Sequence, residues 1–298
     1  MRTIWETEAG MLGARDTEEA RYARPRDLAE ALRLRKQGAR ILAGGTDFYP
    51  VRVGRPLHDP DGSGVLDLTA LPGLKGIADA GGFLRIGALT SWTAIAEAAL
   101  PAQFNCLQQA AREVGGRQIQ NRGTIGGNLC NASPAADGVP ALLALGAEVE
   151  LLSADGSRRL PVADFILGPR QTALRADEIL AAILVPPPQG EAVSNFLKLG
   201  ARKYLVISIV MAAGWLDIVD GRIAAARIAI GACSPVARRL PGLEAALRGR
   251  RIDSDLAALA QADHLRELAP IDDVRASAEY RAEAALVVLR RLLAELAP

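Results

Sequence analysis

The sequence predicts an α+β chain built from three successive units, and three observations carry that expectation. A strand–helix–strand rhythm runs from about residue 20 to residue 72. Alternating apolar stretches flank Gly81-Gly82 and Asp155-Gly156, the pattern of two hairpins. Beyond the prolines at 186–188, a block of strand-like segments gives way to a block of helical ones. A length of 298 residues suits two or three packed units.

Residues 1–20 read as a weakly ordered arm. Residues 21–72 form the first unit: Pro25 opens a helical pattern with Leu28, Ala31, Leu32 and Arg35 at helical spacing, Gly38 follows its end, and "ARILAG" and "GVLDL" are short strands. Residues 73–188 form the second. "KGIADAGGFLRIGA" is a hairpin, "TSWTAIAEAAL" and "CLQQAAREVGG" are helices, "PALLALGAEVELLSADGSRRLPV" is a helix entering a hairpin, and "DEILAAILVPPP" is a strand stopped by prolines. Residues 189–298 form the third. "NFLKLG", "LVISIVMAAGWLDI" and "RIAAARIAIGACS" read as a three-stranded antiparallel sheet turning at Asp220-Gly221. "LPGLEAALRG", "SDLAALAQA" and the long amphipathic "SAEYRAEAALVVLRRLLAEL" follow as helices.

Composition removes several function classes. With 35 basic and 34 acidic residues the net charge is +1, and only 4% of residues are aromatic, so nucleic-acid binding is not expected. Cys106, Cys130 and Cys233 stand far apart, and His58 and His264 are not spaced to join them, so no metal site is expected in this chain. Met1 to Ala20 carries acidic residues and no apolar core of a signal peptide, and the longest apolar run, Leu205 to Leu216, is too short to span a bilayer. A cytoplasmic protein without a membrane span is expected.

The informative stretches are two glycine-rich turns in different units, "ILAGGTDF" (Ile41, Leu42, Ala43, Gly44, Gly45, Thr46, Asp47, Phe48) and "RGTIGGN", with Thr124, Gly126, Gly127 and Asn128. Each offers unhindered backbone N–H groups able to curl around an anion, with Thr46 or Thr124 as a further donor. Neither is a G-x-G-x-x-G or a Walker loop. A diphosphate lying between two units, held by one nest from each, fits the pair. In the following "SPAADG", Ser133 can cap a helix, Pro134 suits its first turn, and Asp137 can accept a bond from a ribose hydroxyl. Taken singly, a Gly-Gly turn is ordinarily only a turn, and Asp137 alone is an ordinary helix-start acid.

In order, "ILAGGTDFYP", "LRIGALTSW", "RGTIGGNLCNASPAAD", "DEILAAILVP" and "FLKLGARKY" resemble the FAD-binding medium subunit of the molybdenum hydroxylases, the xanthine dehydrogenase, carbon monoxide dehydrogenase and 4-hydroxybenzoyl-CoA reductase family. The resemblance covers about residues 20–298. It implies a two-part FAD-binding domain of the vanillyl-alcohol-oxidase/PCMH type followed by a C-terminal domain of a three-stranded sheet and helices. It implies an oxidoreductase complex in which a large subunit holds molybdopterin, a small subunit carries [2Fe-2S] clusters, and this subunit passes electrons through FAD to NAD, a quinone or oxygen.

By matching motif, the resemblance places Ile41–Phe48 and Thr124, Gly126, Gly127 and Asn128 around the diphosphate and Val114 near the adenine. Asp137 matches an acidic FAD contact, Leu180 and Lys198 match positions close to the flavin ring, and Tyr204 would cover one ring face. No residue of this chain is assigned a catalytic role. The chain lacks the cysteine-rich insertion of the 4-hydroxybenzoyl-CoA reductase branch, so no [4Fe-4S] cluster is expected, and His58 lies outside any flavin-attachment motif, so FAD is expected to bind without a covalent link. Two other readings stand beside this one: a self-contained FAD-dependent oxidoreductase similar in fold to UDP-N-acetylenolpyruvylglucosamine reductase, and a non-enzymatic phosphate-binding module.

Overall fold

The computed structural model describes residues 22–54, 63–253 and 255–297. The expected arm at 1–20, His58 with most of its loop, and Ser254 lie outside the described residues. In the first unit, β1 (Tyr22–Ala23) precedes α1 (Leu28–Lys36), β2 (Arg40–Leu42) and β3 (Val65–Asp67). β3 sits centrally and pairs in parallel with both other strands. Two residues carry no periodicity, so β1 left no signal. Asp27, rather than Pro25, fixes the start of α1: its carboxylate accepts the Glu30 N–H at 3.0 Å, satisfying a first-turn donor.

The second unit is a five-stranded antiparallel sheet with helices on one side. Its chain order is β4 (Ile77–Ala80), β5 (Phe83–Gly87), α2 (Trp92–Glu97), α3 (Asn105–Glu113), α4 (Arg117–Arg122), α5 (Ile125–Asn131), α6 (Gly138–Ala144), β6 (Glu148–Ser153), β7 (Gly156–Pro161), α7 (Val162–Phe165), β8 (Ile166–Gly168), β9 (Gln171–Thr172) and β10 (Ile179–Val185). β4 and β5 turn on Gly81 and Gly82, both at positive φ, as a two-residue hairpin requires. β6 and β7 close at the Ser153–Gly156 pair, so their two-residue loop is Ala154-Asp155, one position earlier than the sequence suggested. The sheet order is β4-β5-β10-β6-β7. β10 is therefore central, and all its residues are buried, which explains its unbroken apolar run.

The third unit packs β11 (Glu191–Leu199), β12 (Val210–Val219), β13 (Arg222–Gly231) and β14 (Arg238–Arg239) into one antiparallel sheet, followed by α8 (Pro241–Leu247), α9 (Leu256–Leu259) and α10 (Ala278–Leu296). β14 enlarges the expected three strands to four. Two arginines give no strand pattern; Arg239 is held there by Glu244 at 2.6 Å, whose other oxygen accepts the Ile228 N–H.

β12 is buried on both faces. Met211, Ala213 and Trp215 join Leu107 of α3 and Leu142 of α6 in one core, while Val210, Ala212 and Leu216 join Leu243 of α8 and Leu289 of α10 in another. A strand walled on both sides reads as a continuous apolar run because neither set of alternating side chains meets water. α10 buries the face its pattern predicts, with one exception. Arg281 is wholly enclosed, its guanidinium donating to the Ile209 and Ala232 carbonyls and to Asp273.

Candidate functional site

The two glycine segments meet. The loop leaving β2 packs against the link between α4 and α5 so closely that a Cβ on Gly44 would run into the Arg122 carbonyl and lie 3.0 Å from Gly123 Cα. Glycine is required at 44 by this backbone approach. The amides of Gly44, Gly45, Thr46 and Asp47 donate to no other group among the described residues, and the Thr46 hydroxyl has no partner there. Gly44, Gly45 and Thr46 are partly buried and Asp47 is exposed; donors left unpaired in this way are open to an acceptor from outside the chain.

The second segment behaves differently, which corrects the expectation of a nest. Gly126 and Gly127 lie in the first turn of α5, not in a turn of their own. Ile125 N–H donates to Thr90 O, Gly126 N–H to Ala88 O at 2.8 Å, Gly127 N–H to Thr124 Oγ1 and Asn128 N–H to Thr124 O. Every first-turn donor is thus consumed inside the protein. Gly126 is small because a Cβ would stand 2.6 Å from Ala88 Cβ, so this glycine serves helix-on-strand packing. Pro134 also sits before α6, in a turn closed by Ala136 N–H to Ser133 O, not in a first helical turn, and Ser133 Oγ accepts from Ala135 N–H.

Between the segments runs a groove of about 440 Å³, within the size range of small-molecule sites. Ile41, Ala43, Gly44, Gly45, Thr46, Asp47, Phe48, Val114, Thr124, Gly126, Gly127, Asn128 and Leu180 line it. Leu42 does not: strand alternation turns it inward, where it is buried. Ser133, Asp137, Lys198 and Tyr204 also lie outside the lining.

Arg35, Arg40, Trp92, Ile119, Cys130 and Leu174 are among the other wall residues and were not singled out from the sequence as site residues. A signal did exist for Arg35, a cation on the inward stripe of α1 alongside Leu28, Ala31 and Leu32. Its guanidinium donates to Glu178 O and Ala39 O, which fixes the charge beside the groove. Burial pushes the Cys130 thiol up to about 12, so it stays neutral. Asn128 Oδ1 is buried without a hydrogen-bond partner. At the rim, Asn131 Nδ2 donates to Asp47 Oδ1 at 3.0 Å and Arg170 donates to Asn131 Oδ1, tying the first unit to the second.

The remaining polar residues form a separate cluster. Lys198 Nζ lies 2.9 Å from Asp137 Oδ2 and donates to Glu113 O at 3.1 Å, while Ser208 Oγ donates to Asp137 Oδ1 at 2.5 Å. Burial raises the Asp137 carboxyl above the usual range, with Lys198 and then Ser208 opposing that rise. Both Asp137 oxygens are engaged by the protein. Tyr204 is 65% exposed, with Lys203 over its ring. Its neighbour Leu205 rests against Gly116, close along the chain to Val114 and Ile119.

The arrangement can hold an elongated anion. Unpaired amides of the Gly44 loop, with Arg35 and Arg40 among the lining residues, suit an anion, and the apolar walls suit flat rings. Among the described residues no cluster of His, Cys, Asp and Glu could hold a metal ion, and no helix is long and apolar enough to cross a membrane.

Comparison with known proteins agrees with this chemistry. Residues 17–188 match the family described as the FAD binding domain in molybdopterin dehydrogenase, and residues 195–296 match the CO dehydrogenase flavoprotein C-terminal domain. The nicotine 6-hydroxylase medium subunit of Paenarthrobacter nicotinovorans is 33% identical over 279 residues, covering 92% of this chain and 96% of that one. The carbon monoxide dehydrogenase medium chain of Afipia carboxidovorans is 34% identical over 281 residues, covering 91% and 94%. Among solved structures, carbon monoxide dehydrogenase from Hydrogenophaga pseudoflava superposes with a TM-score of 0.82 at 29% identity, over 93% of this chain and 96% of that one.

Proposed function

The chain belongs to the family of FAD-binding medium subunits of molybdopterin dehydrogenases, and from that premise we propose that it is the electron-transfer subunit of a molybdenum-containing hydroxylase. On this reading its fold is of the vanillyl-alcohol-oxidase/PCMH type, and it works in the cytoplasm beside a molybdopterin-binding large subunit and a [2Fe-2S] small subunit. Electrons leave through NAD, a quinone or oxygen.

The observation that carries the cofactor assignment is the run of unpaired amides from Gly44 to Asp47 in a groove whose opposite wall, α5, is already hydrogen-bonded. The residues present fit FAD. The absence of a Cβ at Gly44 lets its loop lie against the Arg122 carbonyl, which holds the unpaired amides at the groove, and the buried Asn128 Oδ1 lacks a donor. Bound FAD supplies the capacity to take up electrons singly and release them as a pair.

The chain's own residues hold and shield it. With FAD bound, the Gly44 to Asp47 amides and the Thr46 hydroxyl would donate to the diphosphate, Arg35 and Arg40 would offset its charge, and Val114, Ile119, Leu174 and Leu180 would exclude water from its rings. Arg35 keeps its positive charge in this role, although burial lowers its pKa. Asp137 and Lys198 match cofactor contacts of the family; here they engage each other first.

Purification of the chain with its native partners tests the reading. Flavin absorption bands from the released ligand, and co-purification of a molybdopterin protein and an iron–sulfur protein, are expected. A colourless chain that takes up no FAD on reconstitution would overturn it.

A further inference from the structure

Arg35 stands half-buried in the groove wall, held by two carbonyls and by no carboxylate. Its Nε donates to Glu178 O at 3.1 Å and its Nη1 to Ala39 O at 3.0 Å. Its Nη2 has no partner, and its charge no ion pair, among the described residues. Asp177 acts on that charge only from beyond ion-pair distance. Other inward-facing arginines are matched by carboxylates: Arg239 by Glu244, Arg281 by Asp273 and Arg158 by Glu178. A guanidinium fixed by neutral carbonyls keeps its field for whatever enters the groove.

The residue whose carbonyl holds Arg35 carries a carboxylate of its own, and that carboxylate is turned away. Glu178 is 3% exposed. Its Oε1 accepts from Arg158 Nε at 2.6 Å, and its Oε2 accepts from Arg158 Nη2 and from Arg175 N–H, both at 2.8 Å. Arg158 Nη2 also reaches Ala173 O at 2.7 Å. One guanidinium fork therefore closes the turn from Ala173 to Glu178, which carries the groove residue Leu174 and leads into Ile179 and Leu180. Arg158 comes from β7, an edge strand of the five-stranded sheet. An inward-pointing arginine there also blunts the edge, but edge protection alone makes no demand on ligand binding, which separates the two roles.

Without Arg158 the Glu178 carboxylate would be a buried anion lacking its counter-ion, a strongly unfavourable state that drives it towards the next cation. Arg175 lies 4.0 Å away but is 69% exposed and hydrated, so its attraction is weak. Arg35 is half-buried and already bonded to the carbonyl of the same residue. We infer that Arg158 is a positioning residue that sequesters Glu178, so that the charge of Arg35 stays open to an anionic ligand in the groove instead of being neutralised from within. The identity of that anion as the FAD diphosphate rests on the reading above.

The FAD affinity of the full chain freed of cofactor, followed by flavin fluorescence, tests it. Arg158→Met is expected to weaken FAD binding about tenfold, because Glu178 then turns on Arg35. Adding Glu178→Gln to Arg158→Met removes the competing charge, and should bring affinity back to within about threefold of the parent chain. A pair that served packing alone predicts the opposite, since a second substitution behind the same wall deepens the loss. Arg35→Met should also weaken binding about tenfold, and adding Arg158→Met to it should change affinity by less than about twofold, because no cation remains to be neutralised. Should Arg158→Met not fold, Arg158→Lys keeps a cation but loses the fork. It should weaken binding about threefold, again reversed by Glu178→Gln.

A loss in the Arg158 variants that Glu178→Gln fails to reverse, or no loss at all, would overturn the sequestering role, while FAD binding by the parent chain leaves the cofactor reading intact. A parent chain that binds no FAD would overturn that reading and this inference together.

Discussion

The two glycine segments share a sequence pattern and do opposite work. Both read as Gly-Gly with a threonine nearby. Around Gly44-Gly45 the chain leaves its amides unpaired and facing a groove, whereas around Gly126-Gly127 it spends every amide on its own first helical turn and on Ala88 and Thr90. The first segment is a set of donors; the second is a smooth wall thin enough to let the groove exist. Both glycines are small because protein atoms crowd them, Gly44 the Arg122 carbonyl and Gly126 Ala88; what differs is whether the neighbouring amides are left unpaired or spent within the chain.

Substitutions that separate the two roles sharpen the contrast. Gly44→Ala should have the largest effect. The added Cβ meets backbone rather than a movable side chain, so displacement of the donor loop should lower stability by about 1–3 kcal/mol and reduce FAD affinity by roughly 100-fold, about 2.7 kcal/mol. Urea unfolding and fluorescence titration measure these two numbers. Gly126→Ala should cost about 1–3 kcal/mol of stability through its clash with Ala88, while the FAD affinity of the folded fraction falls much less. Equal losses of affinity at the two glycines would break the comparison.

The threonines give a subtler version. Thr124→Ala removes a helix cap and should cost about 1 kcal/mol of stability, with little change in cofactor affinity. Thr46→Ala removes a hydroxyl with no partner among the described residues, so stability should move by less than about 0.5 kcal/mol while FAD affinity drops about threefold to tenfold, as for one hydrogen bond. A reversal of that pattern would assign the donor role to α5 after all.

The smallest effect concerns the groove's floor. Glu178, whose backbone carbonyl holds Arg35, is itself held by Arg158, and that hydrogen bond keeps its carboxyl below the usual glutamate range. A depressed carboxyl pKa contributes stability that is present above the unfolded-state value, about 4.3, and is lost as pH falls through the folded-state value. Glu178→Gln should therefore flatten the acid limb of the stability–pH curve, most visibly below about pH 4. An unchanged limb would show that the pair carries no proton linkage.

Much of this was legible in the residues, and the reasons differ from place to place. The β10 run and the Asp220-Gly221 turn were readable because burial on both faces and paired positive φ leave direct marks on composition. The segment around Gly126 was misread because two glycines are poor helix formers; Thr124 as cap and the contact with Ala88 outweigh that preference. The groove-lining role of the Gly44 loop was visible in its pattern. Arg281 and Ser208 were not, since a buried polar side chain is accounted for by partners distant in sequence, here Ile209 and Ala232 for one and Asp137 for the other. The separation of Asp137 and Lys198 from the groove wall was hidden for the same reason.

The strand β12 has one more consequence. Its odd-numbered residues complete the interior of the flavin half and its even-numbered ones that of the C-terminal half. The boundary at which sequence families divide this protein, between residues 188 and 195, is thus no seam in the solid. A gene cut there would yield an N-terminal fragment with bare leucines on α3 and α6 and a C-terminal fragment with a naked tryptophan. Engineers who wish to transplant such a subunit must carry both halves together.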